Sequence, residues 1–101
     1  MNIRNNESAM TRDLLQKTIA LRKKIKRYPK FLSTRKTYIK ILSDIEKVLI
    51  QQPHDFNRLR QLKIGIGRTL TDGDESTSIG QDLLTFHKDI HYFLKANEGK
   101  K

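Results

Sequence analysis

Along KFLSTRKTYIKILSDIEKVLI, residues 30 to 50, the side chains Phe31, Thr34, Tyr38, Ile41, Ile45 and Val48 return at steps of three and four. That interval is one side of an α-helix, because 3.6 residues complete a turn. Leu42 and Leu49 widen the stripe, so this helix is expected to touch more than one neighbour. A helix with so broad an apolar side needs partners to cover it. Other segments of the chain repeat the period, which predicts an all-α fold: a small four-helix antiparallel bundle.

The first partner is expected over residues 10 to 27. Met10, Leu14, Leu21 and Ile25 share a face there, Thr18 fills the gap, and Leu15 and Ile19 extend it. Tyr28 and Pro29 end this helix, since proline lacks an amide donor and disfavours the α conformation in the residue before it. Pro29 also suits a first helical position. The second helix is therefore expected over residues 30 to 50, with Thr34 and Thr37 inside it, after a very short antiparallel corner. Tyr28 at that corner either covers the end of the bundle or takes part in recognition.

Residues 51 to 55 make the next break, and Asp55 can cap a third helix over 56 to 70 with Phe56, Leu59, Leu62, Ile66 and Leu70 inward. Residues 71 to 77, TDGDEST, read as an exposed acidic turn. Ser78 with Gln81 forms a capping box for a fourth helix, whose buried side is Ile79, Leu83, Phe86, Ile90 and Phe93, flanked by Leu84 and Leu94. Residues 1 to 9 are polar and aperiodic and read as a flexible lead, 10 to 96 as one domain, and 97 to 101 as a frayed tail.

The formal net charge of +10 is unevenly placed: the first 40 residues hold 12 Lys or Arg against 2 Asp or Glu, and the remaining 61 hold nine of each. Such a field either solvates the protein or steers an anionic partner, an acidic protein or a nucleic acid. The run RKKIKRYPK, with cations beside an aromatic, keeps nucleic acid as the alternative. Long helices joined by a proline corner do not form the short helix-turn-helix that reads a major groove. No stretch has the length of a membrane span and no signal peptide is apparent, so the expected location is the cytoplasm and no membrane partner is expected.

Catalysis has no visible carrier. The chain has no Cys, no GxSxG elbow and no phosphate-binding glycine loop. Asp72, Asp74 and Glu75 lack the spacing of a calcium loop. His87 and His91 face one way on the fourth helix, but HKDIH is not HExxH and no third ligand is implied, so they read as a solvated or interfacial pair. No enzyme activity, metal or cofactor is expected. Gly65 and Gly67 in KIGIGRT each cost about 1 kcal/mol against alanine inside a helix. They mark close packing, a docking surface or a local break.

Three stretches, ALRKKIKRYP, TYIKILSDIEKVL and LKIGIGRTLTDGDESTSIGQDLLTFHKDIHYF, resemble small helical immunity proteins with which bacteria neutralise type VI secretion effectors, in particular the family that protects against an NAD(P)-degrading toxin. The resemblance covers about residues 14 to 93. Its most specific features are the Tyr28 to Pro29 helix exit, Gly65, the acidic turn at Asp72 and Asp74, and the late aromatic Tyr92. The chain departs from the family where Gly67, Arg68 and Thr69 stand in place of an Ala and acidic pattern, and where ESTS lengthens the turn.

The resemblance implies inhibition by tight binding of a cognate effector toxin and leaves open whether that toxin destroys NAD, transfers ADP-ribose or does something else; the expected target is an NAD(P)-consuming or ADP-ribosyl-transferring enzyme blocked at its active site. The charge asymmetry makes Arg22, Lys23 and Lys26 the expected toxin-binding face, and the glycines add Lys63, Gly67 and Arg68 as a second patch. Asp72 and Asp74 of the turn, with His91 and Tyr92, are the remaining candidates for that contact.

Overall fold

Thr34, Asp55 and Thr77 stand immediately before three helices. Asp55 Oδ1 accepts a hydrogen bond from the Arg58 amide at 3.0 Å, and Thr77 Oγ1 accepts one from the Gly80 amide at 2.9 Å. Each bond satisfies an amide that the first turn of a helix leaves without an internal partner. The computed structural model of the protein describes residues 3–28, 34–70 and 76–98, with the side chains of 9–28, 34–70 and 76–97. They form α1 (Ile3–Arg27), α2 (Arg35–Ile50), α3 (Phe56–Leu70) and α4 (Ser78–Glu98), with no strand among the described residues.

Several boundaries differ from those expected. Helix α1 begins at Ile3, so residues 3 to 9 continue the helix instead of forming a flexible lead. Extending a helix that already exists fixes only one more residue per hydrogen bond, so a polar stretch without periodicity can join it. Helix α4 likewise continues through Glu98, with the Asn97 side chain donating to the Phe93 carbonyl at 2.7 Å. Helix α2 starts at Arg35, not near residue 30, with Thr34 immediately before it and no side-chain capping hydrogen bond from that residue. The cap of α4 is Thr77, one residue ahead of the expected Ser78. Pro29, Phe31, Asp72, Asp74 and residues 99 to 101 lie outside the described residues.

Pairs of contacting side chains fix the directions of the helices. Arg22 meets Glu46 while Thr11 reaches His54, so α1 and α2 run opposite ways. Arg58 beside Asp44, with Gly65 beside Ile41, makes α3 antiparallel to α2. Lys63 near His91 and Gly67 near His87 do the same for α4 against α3. Lys17 with Asp89, and Lys24 with Asp82, close the ring from α4 back to α1. Each helix packs against the two beside it, leaving α1 and α3 on opposite corners.

The interior is what the 3.6-residue period dictates. Leu14, Leu21 and Ile25 of α1 meet Tyr38, Leu42, Ile45 and Leu49 of α2, Leu59 and Ile66 of α3, and Ile79, Leu83 and Ile90 of α4, all buried. Removing such a side chain from water contributes about 1.5–3 kcal/mol each. Leu42 and Leu49 are more deeply buried than Ile41, so the axis of the α2 stripe is rotated toward them. Phe56 is only partly buried, and Met10 stays 40% exposed. Thr18 is buried without penalty because its hydroxyl donates to the Leu14 carbonyl at 2.7 Å.

Two side chains finish the ends of the bundle. Tyr28 packs on the core at the close of α1, and Arg35 Nη2 donates to the Tyr28 carbonyl at 2.8 Å, tying the start of α2 to the end of α1. At the other end, His54 lies between Val48 and Thr11, with Nδ1 3.1 Å from the Val48 carbonyl and Nε2 3.4 Å from Thr11 Oγ1. These contacts assign its proton to Nδ1, leaving Nε2 to accept from the threonine hydroxyl. Its ring lies 5.8 Å from that of Phe56 and 6.1 Å from that of Phe93, so an apolar body plugs the gap while both nitrogens are satisfied.

Candidate partner-binding surface

Every carboxylate with a described side chain is engaged inside the molecule. Asp13 and Asp89 meet Lys17 at 3.3 and 3.4 Å, Asp44 meets Lys40 and Arg58 at 3.7 and 3.4 Å, Glu46 pairs with Arg22, Asp82 pairs with Lys24, and Asp55 caps α3. The cations are in excess. Arg12, Lys23, Lys26 and Arg27 on α1 are exposed and have no ion-pair partner among the described residues. Among the described side chains the unpaired charge on α1 is therefore positive, and three of these four cations lie in its last five residues.

Helix geometry explains how α1 sorts its basic residues. Leu21 and Ile25 are buried, and Lys23 is two residues from each, about 200° around a helix, which turns it outward. Arg22 and Lys24, one residue to either side, fall on the two flanks and reach α2 and α4. Lys17 and Lys24 are seven residues apart on α1, as are Asp82 and Asp89 on α4, so two turns of one helix match two turns of the other. Between the two pairs the small Ala20 and Thr85 leave a cleft of about 400 Å³ floored by Leu21 and Phe86. Burial works against charge on Lys17, but its hydrogen bonds and charge contacts with Asp13 and Asp89 prevail and raise its pKa.

The residues expected to contact a partner divide into two groups. Lys23 and Lys26 are exposed on α1, whereas Arg22 is only partly exposed and committed to Glu46. Lys63, Gly67 and His91 come together where α3 meets α4, with Lys63 Nζ 3.5 Å from His91 Nδ1. Tyr92 lies beside His91, ring centroids 5.8 Å apart, and is 66% exposed. Arg68 is exposed on α3, next to a helix face that also presents Ile64. Because α1 and α3 occupy opposite corners, the α1 cations and the α3 patch do not make one continuous face. Asp72 and Asp74 lie outside the described residues.

Gly67 faces α4 across the seam. A Cβ there would meet His87 Nε2 at 3.4 Å and Cδ2 at 3.8 Å, so the imidazole rests over bare α3 backbone. Gly65 faces the other neighbour, with Ile41 Cδ1 at 3.4 Å from the same construction. His87 is thus drawn into the seam beside Lys63 and His91. Its pKa is lowered by burial first, then by the positive charge of Lys63 and of His91.

Sequence reasoning passed over the Lys17, Lys24, Asp82 and Asp89 lattice and the role of His87. The seven-residue spacing in each helix was the available signal for the first. Among the described residues no group of three or more His, Asp or Glu side chains is arranged to hold a metal, and no helix is long and apolar enough to cross a membrane. No family model, curated protein or solved structure matches this chain.

Proposed function

We propose that the protein is an inhibitor that works by binding an acidic partner protein, and that the partner is a bacterial effector toxin whose active site it covers. The observation that carries this reading is the charge inventory: the described carboxylates are consumed by internal ion pairs and a helix cap, while the α1 cations Lys23, Lys26 and Arg27 are exposed with no ion-pair partner among the described residues. A surface so arranged attracts an anionic partner and speeds its encounter. The resemblance to type VI immunity proteins supplies the particular identity, with the toxin an NAD(P)-consuming or ADP-ribosyl-transferring enzyme and the cytoplasm of the producing cell as the place of action.

The test is made with the toxin domain encoded beside the gene for this chain. The purified pair should form a one-to-one complex, the toxin should stop consuming NAD(P), and changing Lys23, Lys26 and Arg27 together to Glu should slow association while the helical signal is kept. Absence of a complex rejects the reading. Micromolar retention of random duplex DNA or RNA at physiological salt, falling steeply as salt is raised, moves the assignment to nucleic-acid binding.

A further inference from the structure

Three of the four seams of the bundle satisfy their flanking cations with carboxylates: Arg22 with Glu46 between α1 and α2, Lys17 and Lys24 with Asp89 and Asp82 between α1 and α4, and Arg58 with Asp44 between α2 and α3. In the seam between α3 and α4, Lys63 instead meets His91, 3.5 Å from Nδ1, and His87, one turn earlier on α4, rests over Gly67. None of these three groups has a carboxylate partner among the described residues. Folding has brought together one fixed cation and two groups that become cations on protonation.

We propose that Lys63, His87 and His91 form a receiving site for a carboxylate, an Asp or Glu side chain of the acidic partner. The inference rests on the reading of the partner as an acidic protein. One carboxylate accepts hydrogen bonds at two oxygens, enough to satisfy the Lys63 ammonium and one imidazolium together. Burial first, and then the charges of Lys63 and His91, work against a proton on His87, and an incoming carboxylate offsets the charge contribution and so favours the protonated ring. Affinity at this site therefore rises as acidification protonates His87. The groups facing His87 are Lys63 from α3 and His91 from its own helix, and both act in the same direction.

The chain contains its own control. Of its three histidines, His54 has both ring nitrogens engaged, by Val48 and Thr11, and is not part of this cluster. Imidazole resonances of the full chain are followed by NMR while a tetraglutamate peptide is added at constant ionic strength, and in parallel while inorganic phosphate is added. The expected result is a saturable shift of His87 and His91 with the peptide, stronger at lower pH, with His54 unmoved and no saturable shift from phosphate. Lys63→Met should weaken the peptide response about fivefold or more, and Lys88→Met should leave it unchanged. No saturable shift with either probe overturns the site. Saturation by phosphate alone overturns the carboxylate assignment in favour of a phosphorylated ligand. Neither outcome touches complex formation with the toxin, which is measured separately, so this site and the proposed function fail independently.

Discussion

The His87 ring of α4 rests against the α3 backbone at Gly67, where an added methyl group would lie 3.4 Å from Nε2. That separation is an ordinary van der Waals contact, so alanine fits, and a helix gains up to about 1 kcal/mol when alanine replaces glycine. Gly67→Ala is expected to raise stability by about 0.5–1 kcal/mol in urea unfolding. Gly67→Leu, which has to push the imidazole aside, should destabilise and alter the His87 resonance. A destabilised alanine variant would show that the seam tolerates less than its geometry implies.

The position of His87 makes stability depend on pH. Partial burial and the neighbouring charges of Lys63 and His91 hold its pKa below the ordinary 6.5. The unfolded chain then takes up a proton at higher pH than the folded chain does. Stability attributable to this residue is complete above pH 6.5 and is lost as the pH falls below it. His87→Gln should therefore flatten the decline in unfolding free energy seen on acidification. An equal decline in both proteins would assign the acid sensitivity elsewhere.

Ile45 has no exposed surface and lies at the middle of α2. Truncating it to Ala removes its methyl and methylene groups from the centre of the bundle and leaves a cavity, for an expected cost of about 2–5 kcal/mol. Chemical denaturation measures this directly. Val48, also buried but with 4% exposure and closer to the helix end, should cost less. Equal and small losses at both positions would contradict the core described above.

Much of this fold was legible because burial follows a period that sequence displays: Leu59, Ile66, Ile79, Leu83 and Ile90 all fall inward as their spacing requires. Helix ends were harder, since Thr77 and Ser78 are both good capping residues and only local backbone geometry chooses between them. Thr34 posed the same difficulty, reading as a tolerated interior residue when it is a boundary. The basic surface was legible in composition but not in arrangement. The α1 cations and the Lys63, Gly67 and Arg68 patch read as two patches in the sequence, and the distance between them follows from α1 and α3 sitting on opposite corners.

The caps give a direct comparison between neighbours. Thr77→Ala removes the acceptor for the Gly80 amide and should cost about 0.5–2 kcal/mol, as should Asp55→Ala, which removes the acceptor for Arg58. Ser78→Ala, one residue further on and exposed, should be nearly neutral. The reverse order between Thr77 and Ser78 would restore the capping box that sequence predicts.

Arg22 and Lys23 are adjacent in sequence, yet reversing them should break different properties. Arg22 is partly buried and paired with Glu46, both side chains little more than one-fifth exposed. Arg22→Glu places two carboxylates at that contact, one of them without its cation, for an expected loss of about 1–3 kcal/mol in stability. Lys23 points to solvent with no ion-pair partner among the described residues, so Lys23→Glu should leave the unfolding midpoint within about 0.5 kcal/mol of the parent and act on the association rate with an acidic partner. Glu46→Arg combined with Arg22→Glu restores opposite charges across the α1 and α2 seam and should recover much of the stability, while doing nothing for Lys23→Glu. Unfolding curves and stopped-flow association measured on the same four proteins separate the two effects. If Arg22→Glu proved as stable as Lys23→Glu, the internal pairing of carboxylates would not be what leaves the α1 cations free, and the reading of this surface would lose its basis.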